Sequence, residues 1–166
     1  MKYLGTVLSV FALDECIKQY VDKNRRIGES TQVGNTFLVV EKFYNQGASL
    51  SLCKDHPEVV TGMHIFAMGA LSGVYLCVQS QTGCSGIKLA LSLMMGGGFS
   101  NLWDRIHKHH VVDYVRFRTP WKKFSKIVFN ISDFAIFLGA ILTIVFAPQL
   151  RKKQKAHHRK ATDRKD

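Results

Sequence analysis

A chain of 166 residues with 46% hydrophobic side chains would suit an ordinary soluble domain with a single core. Its formal net charge of +11 at pH 7 indicates an anionic partner, which could be lipid headgroups or nucleic acid. Because most of the basic residues flank long apolar segments, the pattern favours a membrane surface and argues against nucleic acid.

The first apolar segment follows Met1-Lys2 and resembles the start of a secretory signal peptide. No small-x-small cleavage site follows it, and Asp14 and Lys18 interrupt an apolar stretch that continues beyond them. This pattern predicts a membrane span that carries polar groups. Asp14 and Lys18 lie four residues apart and can pair on one helical face. A juxtamembrane ion pair without a chemical role would have the same spacing.

Two further apolar runs are long enough to cross a bilayer, which takes roughly 20 residues. Residues 59–87 contain no Asp, Glu, Lys or Arg, and residues 127–150 contain only Asp133. A small polar stretch at 79–86 separates the first run from a shorter uncharged segment that includes three consecutive glycines. Such glycines let neighbouring helices approach closely. We therefore predict four spans, at about 3–21, 61–79, 87–103 and 130–148.

The segments outside these spans predict a small sheet and a tail. In the loop over about 22–60, residues 36–44 are rich in β-branched and aromatic side chains, as in a strand, and a turn is expected at 45–48. The loop over 104–127 mixes aromatic and basic residues and is predicted to lie in the membrane interface. Residues 1–150 form the membrane domain, and the basic tail over 151–166 is predicted to be disordered and cytoplasmic.

The number of spans says more about the orientation of the chain in the membrane than the distribution of Lys and Arg does. An even number of spans puts both termini on one side of the membrane, and the basic block that follows Leu150 favours the cytoplasm. With that block included, ten basic residues lie on the side of the termini and twelve lie in the two other loops, so charge counting alone leaves the orientation open.

Two copies of Asn-x-x-Asp lie where the third and fourth predicted spans meet one loop, at Asn101–Asp104 and Asn130–Asp133. Carboxyl groups beside membrane spans are costly and are candidates for function. Spacing alone pairs Asp104 with Asp133, and Asp113 in the loop is a third acid.

Other classes of protein remain open at this point. His107, His109 and His110 could bind a metal together with Asp104, although His-x-His-His in a basic loop is more often solvated. A non-enzymatic scaffold or transporter could use buried acids as a proton relay, but the acids would then be spread through the depth of the membrane.

Five motifs in order resemble those of the bacterial lipoprotein signal peptidases, also called signal peptidase II, over about residues 10–145. They are Asp14-x-x-x-Lys18, Asn45-x-Gly47-Ala48, Gly96-Gly97-x-x-x-Asn101-x-x-Asp104-Arg105, Val111-Val112-Asp113-Tyr114 and Phe129-Asn130-x-x-Asp133. The resemblance implies an all-α membrane protein with four transmembrane helices, a small extracytoplasmic β-cradle and cytoplasmic termini.

The implied activity is that of an aspartic endopeptidase in the bacterial plasma (inner) membrane, with its active site toward the outer face. It would cleave prolipoproteins on the N-terminal side of a diacylglyceryl-modified cysteine, with neither a metal nor a cofactor, and we expect it to act as a monomer. Carried over by residue, the catalytic pair falls on Asp113 and Asp133. The residues that would line or brace the site are Asp14, Lys18, Asn45, Gly97, Asn101, Asp104, Arg105 and Asn130.

A physical argument also favours Asp113 over Asp104 as the partner of Asp133. Arg105 lies beside Asp104 and could neutralise it, whereas Asp113 has apolar and aromatic neighbours in the sequence. Two close carboxyl groups would share a proton, and the dipole of a helix that begins near Asp133 would favour Asp133 as the ionised member.

The chain departs from the usual family pattern at several positions, including four that change the polarity or size of the side chain. Family members usually have Gln, Gly, Ala and Ser where this chain has Glu15, Ser100, Ser132 and Phe134. Since Ser132 and Phe134 flank a candidate catalytic acid, a catalytically weakened relative of the peptidases is a further alternative.

Overall fold

The computed structural model describes residues 2–47 and 55–162. These residues form four long helices and one antiparallel sheet with the strand order β1-β2-β3-β4. The helices are α1 (Lys2–Asn24), α2 (Pro57–Gln79), α3 (Ser85–Lys108) and α4 (Ile131–Thr162). The strands are β1 (Ser30–Gln32), β2 (Leu38–Asn45), β3 (Val111–Phe117) and β4 (Val128–Phe129), and a 3₁₀ helix (Phe124–Lys126) precedes β4.

Two of the helices are long and apolar enough to cross a membrane. They are α2 and the Ile131–Pro148 part of α4, with mean hydropathies of 1.5 and 2.0. In the most apolar 18 residues of each helix, only 11% and 17% of the residues are buried in the protein, so most of this apolar surface faces outward. α1 and α3 are less apolar, because α1 contains ionisable residues and α3 contains glycines and serines. The described chain is therefore mostly helical with a small sheet, and the count of four spans stays a prediction.

Three consecutive glycines allow α3 to pack closely against all three of the other helices. A Cβ atom on Gly96 would lie 2.7 Å from the Val7 carbonyl oxygen of α1, and one on Gly97 would lie 2.5 Å from the Ser132 carbonyl oxygen of α4. A Cβ atom on Gly98 would overlap the Met68 side chain of α2. The close approach predicted from this glycine run is thus observed, and it makes α3 the central helix of the described bundle.

The prediction of a loop over 104–127 is wrong for the first half of that range. α3 continues to Lys108, and residues 111–117 form β3, which pairs with β2. The first four residues of β3 are all buried, so the strand lacks the alternation of polar and apolar residues that marks an exposed strand. The strand predicted over 36–44 is observed as β2, whereas β1 consists of three exposed residues and was not predicted.

The predicted disordered tail also differs from the structure. α4 continues through Pro148 to Thr162, and residues 163–166 lie outside the described part. Lys, Arg, Gln and Ala, which dominate the segment after Leu150, all have high helix propensity. The absence of apolar periodicity therefore did not exclude a helix.

The sheet is fixed to the end of α1 by one half-buried polar cluster. The Lys42 ammonium group of β2 lies 2.8 Å from Asp22 Oδ1 and donates to the Asp22 carbonyl oxygen at 2.6 Å. The Tyr44 hydroxyl group donates to the same Asp22 carboxylate at 2.6 Å. Beneath it, Val21 of α1 packs with Val112 and Tyr114 of β3. These contacts hold β3 over the helix ends, and β3 carries Asp113.

Candidate active site

Asp133 is held at the start of α4 by a reciprocal pair of hydrogen bonds. The Asn130 backbone N–H donates to Asp133 Oδ2 at 3.1 Å, and the Asp133 N–H donates to Asn130 Oδ1 at 2.9 Å. This is the arrangement of a capping box, with Asn130 as the N-cap and Asp133 at the third helical position. It holds the Asp133 carboxylate beside the N-terminus of the helix, where the helix dipole favours negative charge.

Asp113 meets the same asparagine from the side of the sheet. The Asn130 side-chain amide donates to Asp113 Oδ1 at 2.8 Å, and the Asn45 amide donates to Asp113 Oδ2 at 3.0 Å. Asn45 comes from β2, which pairs with β3 so that Asn45 lies opposite Val111. Asp113 is 1% exposed. Asn130 therefore contacts both candidate catalytic acids.

The surroundings of Asp113 favour its neutral form. Burial raises the pKa of Asp113 well above its usual range, and the nearby charge of Asp133 raises it further. The hydrogen bonds from Asn45 and Asn130 only partly offset these effects on the pKa. Burial and the neighbouring charge of Asp133 thus favour a protonated Asp113.

Both acids open into a mostly apolar cavity of about 480 Å³ between the sheet and α4. Its polar lining includes Asn45, Asn101 and Arg105, and much of its wall consists of Phe117, Phe124, Phe129, Phe134 and Phe137. Arg105 Nη2 donates to the Gly47 carbonyl oxygen at 2.7 Å. Its Nε and Nη1 atoms are buried and have no hydrogen-bond partner among residues 2–47 and 55–162. The cavity therefore offers two acids, one cation and an aromatic wall.

A fully buried lysine lies behind this cavity. The Lys18 ammonium nitrogen lies 2.8 Å from Asp14 Oδ2 and 3.1 Å from Asp104 Oδ2, and it donates to Asn101 Oδ1 at 2.9 Å. Asp14 and Lys18 therefore do pair, but deep in the protein rather than at its surface. Asn101 in turn donates to Asp133 Oδ1 at 2.9 Å. A continuous path of polar contacts thus runs from α1 to Asp133.

The expected neutralisation of Asp104 by Arg105 is wrong. Asp104 pairs with Lys18 and with Lys108, whose ammonium nitrogen lies 2.6 Å from Asp104 Oδ1, and it accepts a hydrogen bond from the Val112 N–H at 3.2 Å. Consecutive side chains of a helix point in directions about 100° apart, so Arg105 faces the cavity while Asp104 faces α1. Asp104 lies away from Asp133 for the same reason, despite their similar motifs.

Some residues of the site were not predicted. The Tyr114 hydroxyl group donates to Asp14 Oδ1 at 2.8 Å and accepts from the Ile131 N–H at 3.1 Å, so it connects α1 to the start of α4. Ser100 and Ser132 also contact Asp14. Only their departure from the family pattern drew attention to these serines in the sequence.

The histidine alternative finds no support in the geometry. The His107 ring stacks on Trp103 and the His110 ring stacks on Tyr44, with centroid distances of 3.8 and 3.9 Å. Among the residues that the structure describes, no group of three or more His, Cys, Asp or Glu side chains is arranged to hold a metal.

The fold of the described residues is similar to that of two solved structures. One solved structure, described as a bacterial membrane enzyme, is similar with a TM-score of 0.77 and 24% identity, over 89% of this chain and 88% of that one. A second structure with the same description has a TM-score of 0.74, also with 24% identity, over 87% of this chain and 90% of the other. These likenesses concern the fold.

The family follows from the sequence comparison. Residues 6–148 match the family model described as signal peptidase (SPase) II, and the chain belongs to that family. It is 32% identical to the lipoprotein signal peptidase of Clostridium tetani, over 88% of this chain and 91% of the relative. The corresponding peptidase of Mesorhizobium japonicum is 31% identical, over 86% and 82% of the two chains. The resemblance recognised from the motifs is thereby confirmed.

Proposed function

We propose that this protein is an aspartic endopeptidase that removes signal peptides from prolipoproteins by cleaving on the N-terminal side of a diacylglyceryl-modified cysteine. The observation that carries the proposal is that Asn130 joins Asp113 and Asp133 at the wall of one apolar cavity. Membership of the signal peptidase II family supports the substrate class.

We assign the roles of the two acids from the helix that begins beside Asp133, because its dipole favours a negative charge there. The raised pKa of Asp113 keeps its proton available for the scissile carbonyl oxygen. Asp133 receives hydrogen bonds from the Asn130 backbone and the Asn101 amide, which stabilise its charged form. Asp133 is therefore the base that takes a proton from water as the water oxygen attacks the carbonyl carbon.

The intermediate then breaks down by the reverse movement of protons. The gem-diol formed by attack returns a proton to Asp113, and Asp133 gives its proton to the leaving amide nitrogen as the C–N bond breaks. Both acids end in their starting states. Arg105 can donate to a backbone carbonyl oxygen of the substrate through either Nε or Nη1, and the phenylalanine wall accepts apolar groups of the substrate.

The fold supports an active site that faces away from the cytoplasm. α1 ends and α4 begins at the sheet, so the start of α1 and the end of α4 lie at the other end of the bundle. The basic block after Leu150 favours the cytoplasmic side for that end. The cavity, which is lined by residues of β3, β4 and the first turns of α4, then opens toward the outer membrane interface.

A gel-shift assay with purified protein and a lipidated prolipoprotein tests the proposal. Asp113→Asn and Asp133→Asn should each abolish cleavage while leaving the protein folded in detergent, because a carboxamide cannot exchange the catalytic proton. Asp55→Asn, at an exposed acid outside the cavity, is the matched control and should cleave normally. Full activity in either of the first two variants would reject the pair.

A chelator supplies the complementary test. EDTA should leave cleavage unchanged, because the proposed chemistry needs only the two carboxyl groups. Loss of activity that zinc restores would instead favour the alternative in which His107, His109 and His110 bind a metal.

A further inference from the structure

Asp14 is the centre of a buried cluster of hydroxyl groups that the proposed chemistry does not use. Its Oδ2 atom accepts from the Ser132 hydroxyl group at 2.5 Å and from the Ser100 hydroxyl group at 2.8 Å. Glu15 Oε1 of the same helix lies 2.9 Å from the Ser100 oxygen and competes for its single proton. Lys18 lies 2.8 Å from the same oxygen, and Tyr114 donates to Oδ1. Asp14, Lys18, Ser100 and Ser132 are all 0% exposed. Four donors from α1, α3, α4 and β3 therefore hold one carboxylate.

The two serines behave differently from the other helical hydroxyl groups. Ser72, Ser92 and Thr143 each donate to the carbonyl oxygen four residues earlier in their own helix, which is the common arrangement. Ser100 and Ser132 instead donate to a side chain of another helix. Their hydroxyl groups therefore contribute to an interhelical polar network rather than to local helix structure.

This network ends at the proposed base. Lys18 is held between Asp14 and Asp104, and it donates to Asn101 Oδ1. Asn130 also donates to Asn101 Oδ1, at 3.0 Å. Because Asn101 Oδ1 accepts two donors, its amide nitrogen must point the other way, toward Asp133 Oδ1. The position of Lys18 thus helps to fix which end of the Asn101 amide faces Asp133.

We propose that Ser100 and Ser132 are positioning residues for catalysis, which hold Asp14 and Lys18 so that Asn101 donates to Asp133. The inference rests on the proposed role of Asp133 as the base. Loss of either hydroxyl group frees the Asp14 carboxylate and the Lys18 ammonium group to shift. Asn101 then orients Asp133 less precisely, although neither serine touches the substrate cavity.

The test compares Ser100→Ala and Ser132→Ala with Ser92→Ala. Ser92 is equally buried and lies on α3 with Ser100, but it bonds only to its own helix, so the control removes a hydroxyl group without touching the network. Alanine is the best helix former, and the two network variants lie on different helices. If one of them does not fold, the other still decides the question.

The lipidated prolipoprotein is titrated against each folded variant in detergent, and kcat and KM are obtained separately. A hydrogen bond to a charged group contributes enough that we expect kcat to fall about tenfold in each network variant, with KM unchanged. Ser92→Ala should keep the wild-type kcat. A general loss of packing would instead lower thermal stability in all three variants without this selective fall in kcat.

The inference is overturned if the folded network variants keep the kcat of Ser92→Ala, or if their loss is confined to KM. Either result, together with an inactive Asp133→Asn variant, would reject only the positioning role of the two serines. An active Asp133→Asn variant would reject the proposed function, so the two failures can be told apart.

Discussion

Asn130 shows at the scale of single residues how folding and proposed chemistry depend on the same side chain. Its Oδ1 atom caps α4 through the Asp133 N–H, while its amide nitrogen donates to Asp113 and to Asn101. Several kinds of small polar residue, such as Ser, Thr, Asp or Asn, can serve as the N-cap of a helix. Only an amide supplies both the acceptor for the helix and the donors for the two neighbours, which explains why asparagine serves this position.

The pH dependence of cleavage tests the surroundings of Asp113. Since the raised pKa of Asp113 keeps it protonated, kcat/KM should decline only as pH rises through that raised value. The Asn45 hydrogen bond stabilises the charged form, so Asn45→Ala should raise the pKa of Asp113 further. The decline should therefore move to higher pH in the variant.

The measurement is a profile of kcat/KM against pH for wild type and Asn45→Ala at matched detergent concentration. The charged groups that face the acid pair must be the same in both proteins. They are Lys18 and Asp14 of α1 and Arg105 of α3. An unchanged profile, or a shift to lower pH, would contradict the assigned role of Asp113.

At the scale of secondary-structure elements, the sequence predicted the helices and the strand whose residue patterns extend over many positions. It missed the strands that form only by pairing with a distant segment. The apolar runs predicted α2 and α4, and the β-branched stretch predicted β2. β3 was read as an interfacial loop, because its buried first half lacks alternation and the segment around it mixes aromatic and basic residues. Its strand conformation comes from pairing with β2 and from packing on Val21, which no local pattern records.

The residues of the candidate site were likewise predicted where a motif contains them and missed where they depend on tertiary contacts. The family motifs predicted the residues around Asp113 and Asp133 together. Helix spacing alone paired Asp133 with Asp104, which the structure places against Lys18 and Lys108. Lys18, which pairs with Asp104 in the structure, is distant from it in sequence, so spacing on one helix does not reveal that contact. Hydroxyl contacts such as that of Ser132 with Asp14 depend on the closeness of two helices, and residue type alone does not reveal them.

Gly97 provides the test at this scale, because α3 and α4 meet at this residue. A Cβ atom there would lie 2.5 Å from the Ser132 carbonyl oxygen, so Gly97→Ala must separate the two helices. Overpacking of this kind costs roughly 1–3 kcal/mol. We expect a lower melting temperature in detergent and a loss of cleavage, since Asn101 and Asp133 lie on the separated helices.

Gly69→Ala is the matched control for this change. Gly69 lies in α2, and no atom lies within 4 Å of a Cβ atom placed there among the described residues. Alanine is the better helix former by about 1 kcal/mol in a helix interior. The control should therefore be at least as stable as wild type and fully active, and an equal loss in both variants would contradict the packing argument.

At the scale of the whole molecule, the cavity lies where a membrane-bound substrate could present its scissile bond. The cavity is bounded by the sheet and by the first turns of α4, the helix whose apolar surface is largely outward-facing. Trp121 is 76% exposed, and basic residues follow it directly in the segment that leads to β4. Aromatic and basic side chains of this kind settle at the headgroup level of a bilayer, so the cavity mouth would face lipid rather than bulk water.

The substrate should therefore be recognised through its lipid as well as its peptide. Each buried methylene contributes about 0.8 kcal/mol to membrane partitioning, so two long acyl chains on the substrate cysteine would hold the scissile bond at the depth of Asp113 and Asp133. We expect the lipidated precursor to be cut, and the same precursor without its lipid to remain intact at matched concentration in the same bilayer. The Asp133→Asn variant controls for contaminating proteases. Comparable cleavage of both precursors would show that the diacylglyceryl group is not the recognition element, and a general intramembrane aspartic protease would then describe the protein better.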